Sequence, residues 1–158
     1  MKKLITIMAL IATTIAITSM PAQANLKPKT VVPTLAILDT ALDTSIPSIK
    51  SRLVAEVCIL DWASCPNKTK FMEGTGASSL PMSMLSTNNF NHGTQMASAA
   101  IASNPNINIV FIRIVGNTTK GGQQTYGLNT LVNALTWVNN NKAKYNIVAV
   151  ASAHATNA

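Results

Sequence analysis

Four short apolar runs recur along the chain, over residues 35–38, 53–60, 107–115 and 145–150, and the segments between them are polar or helical in pattern. The first run, Leu35-Ala36-Ile37-Leu38, stops abruptly at Asp39-Thr40. A continuous apolar run of this length fits a strand buried on both faces, as in a parallel sheet. The stretch that starts at His92 is rich in small helix formers and ends before Asn104-Pro105, where proline disfavours helix in the residue before it. Leu128, Leu131, Val132, Leu135 and Val138 recur at helical spacing and predict an amphipathic helix to about Lys142. A short helix or turn is expected over residues 46–51, opened near Pro47. Residues 61–91 and 116–126, rich in Ser, Thr, Asn, Gly and Gln, read as irregular excursions, which often carry function. Strands that alternate with helices predict an α/β protein, a three-layer sandwich around a mainly parallel sheet.

The first residues read as a separate unit. Lys2 and Lys3 precede an uncharged apolar run from Leu4 to Ile17, which leads into Pro21-Ala22-Gln23-Ala24. A positive start, an apolar stretch too short to span a bilayer and an Ala-x-Ala site predict a signal peptide over residues 1–24, cleaved after Ala24. The expected destination is secreted or periplasmic, with no membrane attachment after cleavage. Residues 25–33 form a short polar lead-in, and residues 34–158 hold the domain.

Hydrophobic residues make up 47% of the chain and charged ones 11%, which excludes a disordered, highly charged polymer. The net charge of +7 comes from scattered Lys and Arg, with no basic stripe interleaved with aromatics, so nucleic acid is not an expected partner. Cys58 and Cys65 stand seven apart in a loop-like stretch. In an exported chain they are a candidate disulfide; no second Cys or His pair stands near them to build a metal site. Residues 116–122 lack the Gly-Lys-Ser/Thr ending of a phosphate loop. No cofactor and no metal is expected.

In an open α/β sheet, catalysis gathers at the carboxyl ends of the strands. Asp39 ends the first run and His92 opens the small-residue helix, where the helix dipole helps to keep an imidazole neutral. Alone, the first is more often a turn or helix cap than a functional acid, and the second more often a surface or capping residue than a base. Together their contexts are more specific. Ala36-Ile37-Leu38-Asp39-Thr40-Ala41-Leu42-Asp43 resembles the aspartate motif of the subtilisin-like serine proteases (subtilases), and Asn91-His92-Gly93-Thr94-Gln95-Met96-Ala97-Ser98 resembles their histidine motif, in the family's order. The likeness runs over residues 34–152.

That resemblance implies a subtilisin-like fold and a serine endopeptidase acting on peptides or proteins through an Asp-His-Ser triad. Asp39 would orient the imidazole, and His92 would act as general base and acid. Ser152, near the end of the last strand, falls where the family lines its substrate cleft. Ser98 is expected to pack as a small helix residue. No Gly-Thr-Ser-Met-Ala-like nucleophile segment occurs up to Ala158. The reading is therefore of a domain incomplete at its C-terminal end, inactive alone, with a C-terminal half carrying the serine as a possible partner. The alternative is a non-catalytic exported peptide-binding module or truncated pseudoenzyme. With the half-fold open, the last strand is expected to expose an apolar edge.

Overall fold

The computed structural model describes residues 31–117, 122–124 and 126–152. The expected signal peptide, most of the lead-in and the tail after Ser152 lie outside these residues. In chain order the elements are β1 (Thr34–Asp39), α1 (Pro47–Lys50), β2 (Leu53–Ile59), β3 (Phe71–Glu73), α2 (Met82–Leu85), α3 (His92–Ser103), β4 (Asn108–Arg113), β5 (Gly116–Asn117), β6 (Gln123–Gln124), α4 (Leu128–Tyr145) and β7 (Ile147–Ser152). Five strands form one sheet in the order β3-β2-β4-β1-β7, and β5 pairs with β6 separately. β1, β2, β4 and β7 run parallel, and β3 is antiparallel to β2.

The apolar runs become strands because both of their faces are covered. Ala36, Leu38, Val110 and Ile112 pack with Ala134, Trp137 and Val138 of α4. The alternate residues Ile37, Ile109 and Phe111 pack on the other face with Ile49 of α1 and Ala97 of α3. The protein is thus α/β, with helices on both faces of a mostly parallel sheet. Each apolar side chain fully buried at the centre is worth roughly 1.5–3 kcal/mol.

Three connections cross between parallel strands. From β4 to β7 the chain passes over the α4 face; from β2 to β4 it steps in the same direction along the sheet but passes over the α3 face. These two crossovers therefore have opposite hands. From β1 to β2 the chain steps the other way on the α3 face, past α1, so this connection shares the hand of the α4 crossover. Because about 98% of such connections are right-handed, the β2–α3–β4 unit is the left-handed one.

Several expectations need correction. The segment 61–91 is not wholly irregular: it contains β3 and α2, and β3 pairs as Val57↔Glu73, Cys58↔Met72 and Ile59↔Phe71. A three-residue strand leaves too little periodicity to read, and its position is set by pairing to β2 and by Glu73. That carboxylate accepts hydrogen bonds from Trp137 Nε1 (3.1 Å) and the Tyr145 hydroxyl (3.2 Å), tying β3 to α4. Within 116–126, β5 and β6 make a small hairpin. α4 continues one turn past Lys142 to Tyr145 and stops at Asn146, which takes a left-handed conformation (φ 52°) suited to asparagine. Tyr145, expected in the last strand, is therefore helical.

Cys58 and Cys65 are joined in a disulfide. It closes the loop after β2, which also carries Trp62, exposed over three quarters of its surface. Replacing Cys58 with Ser should lower the unfolding free energy by roughly 2–3 kcal/mol, the entropy of closing so short a loop; urea denaturation of the oxidised parent and the variant measures this.

Candidate active site

Asp39 lies at the C-terminal end of β1, completely buried, on the α3 face of the sheet. His92 is the first residue of α3. Its Nδ1 stands 2.9 and 3.0 Å from the two oxygens of the Asp39 carboxylate. The imidazole is 37% exposed, whereas the aspartate side chain is 1% exposed. A buried carboxylate facing Nδ1 selects the tautomer with its proton on that nitrogen, which leaves Nε2 as the proton-accepting atom. The Asp39 carboxylate also accepts the Thr40 N–H at 2.6 Å, which fixes its rotation.

Thr40 does more than follow the aspartate. Its buried hydroxyl donates to the Phe90 carbonyl (3.1 Å) and accepts the Gly93 N–H (3.0 Å), an otherwise unsatisfied donor in the first turn of α3. Asp43 N–H donates to Thr94 Oγ1 at 2.9 Å. The turn after β1 is therefore stitched to the start of α3. Gly93 permits this closeness: a Cβ there would lie 2.4 Å from the Ala41 carbonyl oxygen and 2.6 Å from Phe111 Cζ.

Ser152 ends β7 beside Leu38, so it reaches the same edge of the sheet as Asp39. Its hydroxyl shares a hydrogen bond with Tyr126, whose own pKa is raised above the ordinary tyrosine value, mainly by burial and further by the Asp39 charge, against the lowering effect of the Ser152 bond. Ser98 does not pack as expected; it is exposed on α3, turned away from the sheet. Cys58 and Cys65 stand at the end of β2 and in the loop beyond it. Among the described residues no group of three His, Cys, Asp or Glu side chains could hold a metal ion.

Sequence reasoning missed Thr40, Tyr126 and Arg113. Arg113 is the register partner of Asp39 on β4 and is 1% exposed. Its Nε donates to the Val115 carbonyl and its Nη2 to Asn117 Oδ1, both at 3.0 Å, which holds the base of the β5–β6 hairpin. Burial lowers its pKa to about 10, still protonated at neutral pH. A lone arginine ending an apolar strand was the only signal for it. A concavity of about 430 Å³ beside the first half of β2 is lined by residues such as Lys50, Glu56 and Glu73 and not by the Asp39–His92 pair.

The fold and site together define a mostly parallel α/β protein with a coupled carboxylate–imidazole pair at the C-terminal edge of its sheet. Against known proteins, the chain shows no significant match to any family model, curated protein or solved structure.

Two substitutions test how the pair is held. Gly93→Ala should cost about 1–3 kcal/mol or more, because its closest neighbour is backbone and cannot yield as a side chain would. Thr40→Val, which keeps the shape and leaves the Gly93 N–H and Phe90 carbonyl unpaired, should cost about 1–3 kcal/mol per buried group left without a partner. Chemical denaturation gives both values, and the His92 imidazole resonances should shift in each variant.

Proposed function

We propose that this chain provides the aspartate and histidine of a subtilisin-type serine endopeptidase. The observation that carries the reading is the Asp39–His92 pair, with Nδ1 at 2.9 and 3.0 Å from a buried carboxylate and the ring partly open to solvent. The order of aspartate before histidine, one ending a strand and the other opening a helix, agrees with the subtilase motifs in the sequence.

In this reading a serine hydroxyl gives its proton to His92 Nε2 as its oxygen attacks the peptide carbonyl carbon. Asp39 holds the imidazole and stabilises the imidazolium that forms. The proton then passes to the leaving amine as the C–N bond breaks, and water hydrolyses the acyl ester by the same base. The serine is not assigned within residues 1–158; Ser152 is engaged by Tyr126 and is read as lining the substrate path. The expected setting is an exported one, and the expected substrate a peptide or protein.

The test supplies a separately made, serine-bearing C-terminal half of the subtilisin type together with this chain and assays peptide cleavage. His92→Ala and Asp39→Asn should each reduce kcat by roughly 10⁴-fold or more. Cleavage that is indifferent to both substitutions would remove the pair from the mechanism. Peptide binding with no cleavage under any condition would favour the non-catalytic module.

A further inference from the structure

A groove of about 350 Å³ lies on the α4 face of the sheet, between the end of β2, the start of β3 and the middle of α4. That volume falls within the range of sites that enclose a small ligand. Phe71 forms one wall with 48% of its surface exposed, and the buried Trp137 lines the groove from α4. Asn133 and Asn140 stand across from Phe71 at positions i and i+7 of α4, on one flank of the helix. Among the described residues neither amide has a hydrogen-bond partner in the protein. Each therefore offers both a donor and an acceptor to what enters the groove. Asp61 and Lys70 line it with opposite charges, and both are engaged: Asp61 Oδ2 accepts the Thr130 hydroxyl (2.6 Å), and Lys70 Nζ donates to the Ala63 carbonyl (2.9 Å). At Leu60 and Asp61 the groove adjoins a narrow cleft lined by Trp62 and Thr130. Tryptophan is highly buried on average, yet Trp62 is three quarters exposed. Its loop is braced by the Cys58–Cys65 disulfide and by the bonds of Asp61 and Lys70, so the indole is held ready for contact.

The chemistry of the walls selects the ligand. A peptide strand added to β3 is disfavoured, because the backbone of Phe71 is already committed on its outer side. The Phe71 carbonyl accepts hydrogen bonds from Asn67 Nδ2 (2.9 Å) and Thr69 Oγ1 (2.6 Å), and the Phe71 N–H donates to Thr69 Oγ1 (3.3 Å). The balanced and engaged charges of Asp61 and Lys70 give no pull on an ion. What remains are exposed aromatic faces and two uncommitted amides. They match a neutral ring with C–H groups on its face and hydroxyls on its rim: the C–H groups pack on the electron-rich aromatic face, and each hydroxyl exchanges hydrogen bonds with an amide. We propose that this groove binds a neutral saccharide, with one pyranose ring on Phe71 beside Asn133 and Asn140 and a second ring toward Trp62. The groove is on the α4 face, whereas Asp39 and His92 meet on the α3 face, so the proposal stands apart from the peptidase reading.

The experiment titrates the whole oxidised chain with cellobiose, maltose and diacetylchitobiose in turn, followed by calorimetry and by the side-chain amide resonances of Asn133 and Asn140. At least one disaccharide should bind with a Kd on the order of 1 mM, an affinity suited to so small a ligand, and should shift both amide signals. Phe71→Ala and Asn133→Ala should each weaken that binding roughly fivefold or more. Both side chains are exposed, and the melting temperature of each variant, measured alongside, should stay at the parent value. Trp62→Ala should weaken the disaccharide as well, whereas Val148→Thr, at an exposed valine at the other end of the sheet, should leave it unchanged. Absence of binding by all three sugars overturns the proposal, as does binding that survives both Phe71→Ala and Asn133→Ala. A proline-rich peptide that shifts the two amides where the sugars do not overturns it too, and gives the groove to a peptide.

Discussion

The approach of Gly93 to the Ala41 carbonyl is the contact on which the site depends. It brings the first turn of α3 against the backbone that leaves β1, closer than any side chain at position 93 would allow. Only at that separation can Thr40 bridge Phe90 and Gly93, and only then does the His92 ring fall beside Asp39. The two chemical groups are 53 residues apart in sequence, and a cluster of short backbone and hydroxyl contacts holds the elements that carry them in place for their own hydrogen bond. A carboxylate held by the Thr40 N–H and an imidazole in a single tautomer need little reorganisation, which is what a proton-transfer device requires.

The left-handed passage through α3 serves the same end. Asp39 points to the α3 face because it follows Ile37 by two residues on the strand. Had α3 crossed with the common hand, it would lie with α4 on the opposite face, and no residue at its start could meet Asp39 from this side. The less frequent hand is therefore coupled to the direction of one side chain. The cost is borne by the long connection of residues 60–91, which the disulfide at its start and the buried Glu56 partly brace. Glu56 accepts hydrogen bonds from the Gly76 N–H and from the Ser78 N–H and hydroxyl.

The parts of this arrangement that burial dictates were legible in the sequence. The runs that became β1, β2, β4 and β7 announce themselves because a strand covered on both faces must be apolar throughout, α4 because its packing face repeats at helical spacing, and α3 by a run of small helix formers that stops before Asn104-Pro105. β3 and the β5–β6 hairpin were not legible, since two or three residues paired at an edge leave no periodic trace. At the site, Asp39 and His92 stood out as an acid and an imidazole at element ends. Thr40 and Tyr126 did not, because hydroxyl groups that bridge distant backbone are specified by three-dimensional neighbours and by nothing in their local sequence. The hand of the α3 crossover was equally hidden, because it is a property of topology.

The two tryptophans occupy opposite extremes of the structure. Trp62 stands in water on the loop closed by the disulfide, whereas Trp137 is buried in the α4 layer with its indole N–H on Glu73. Their emission should differ in wavelength and in access to an aqueous quencher, so the molecule contains two optical probes of its own. The red-shifted one reports the cross-linked loop beside the sheet edge, and the blue-shifted one reports whether α4 remains seated on β3.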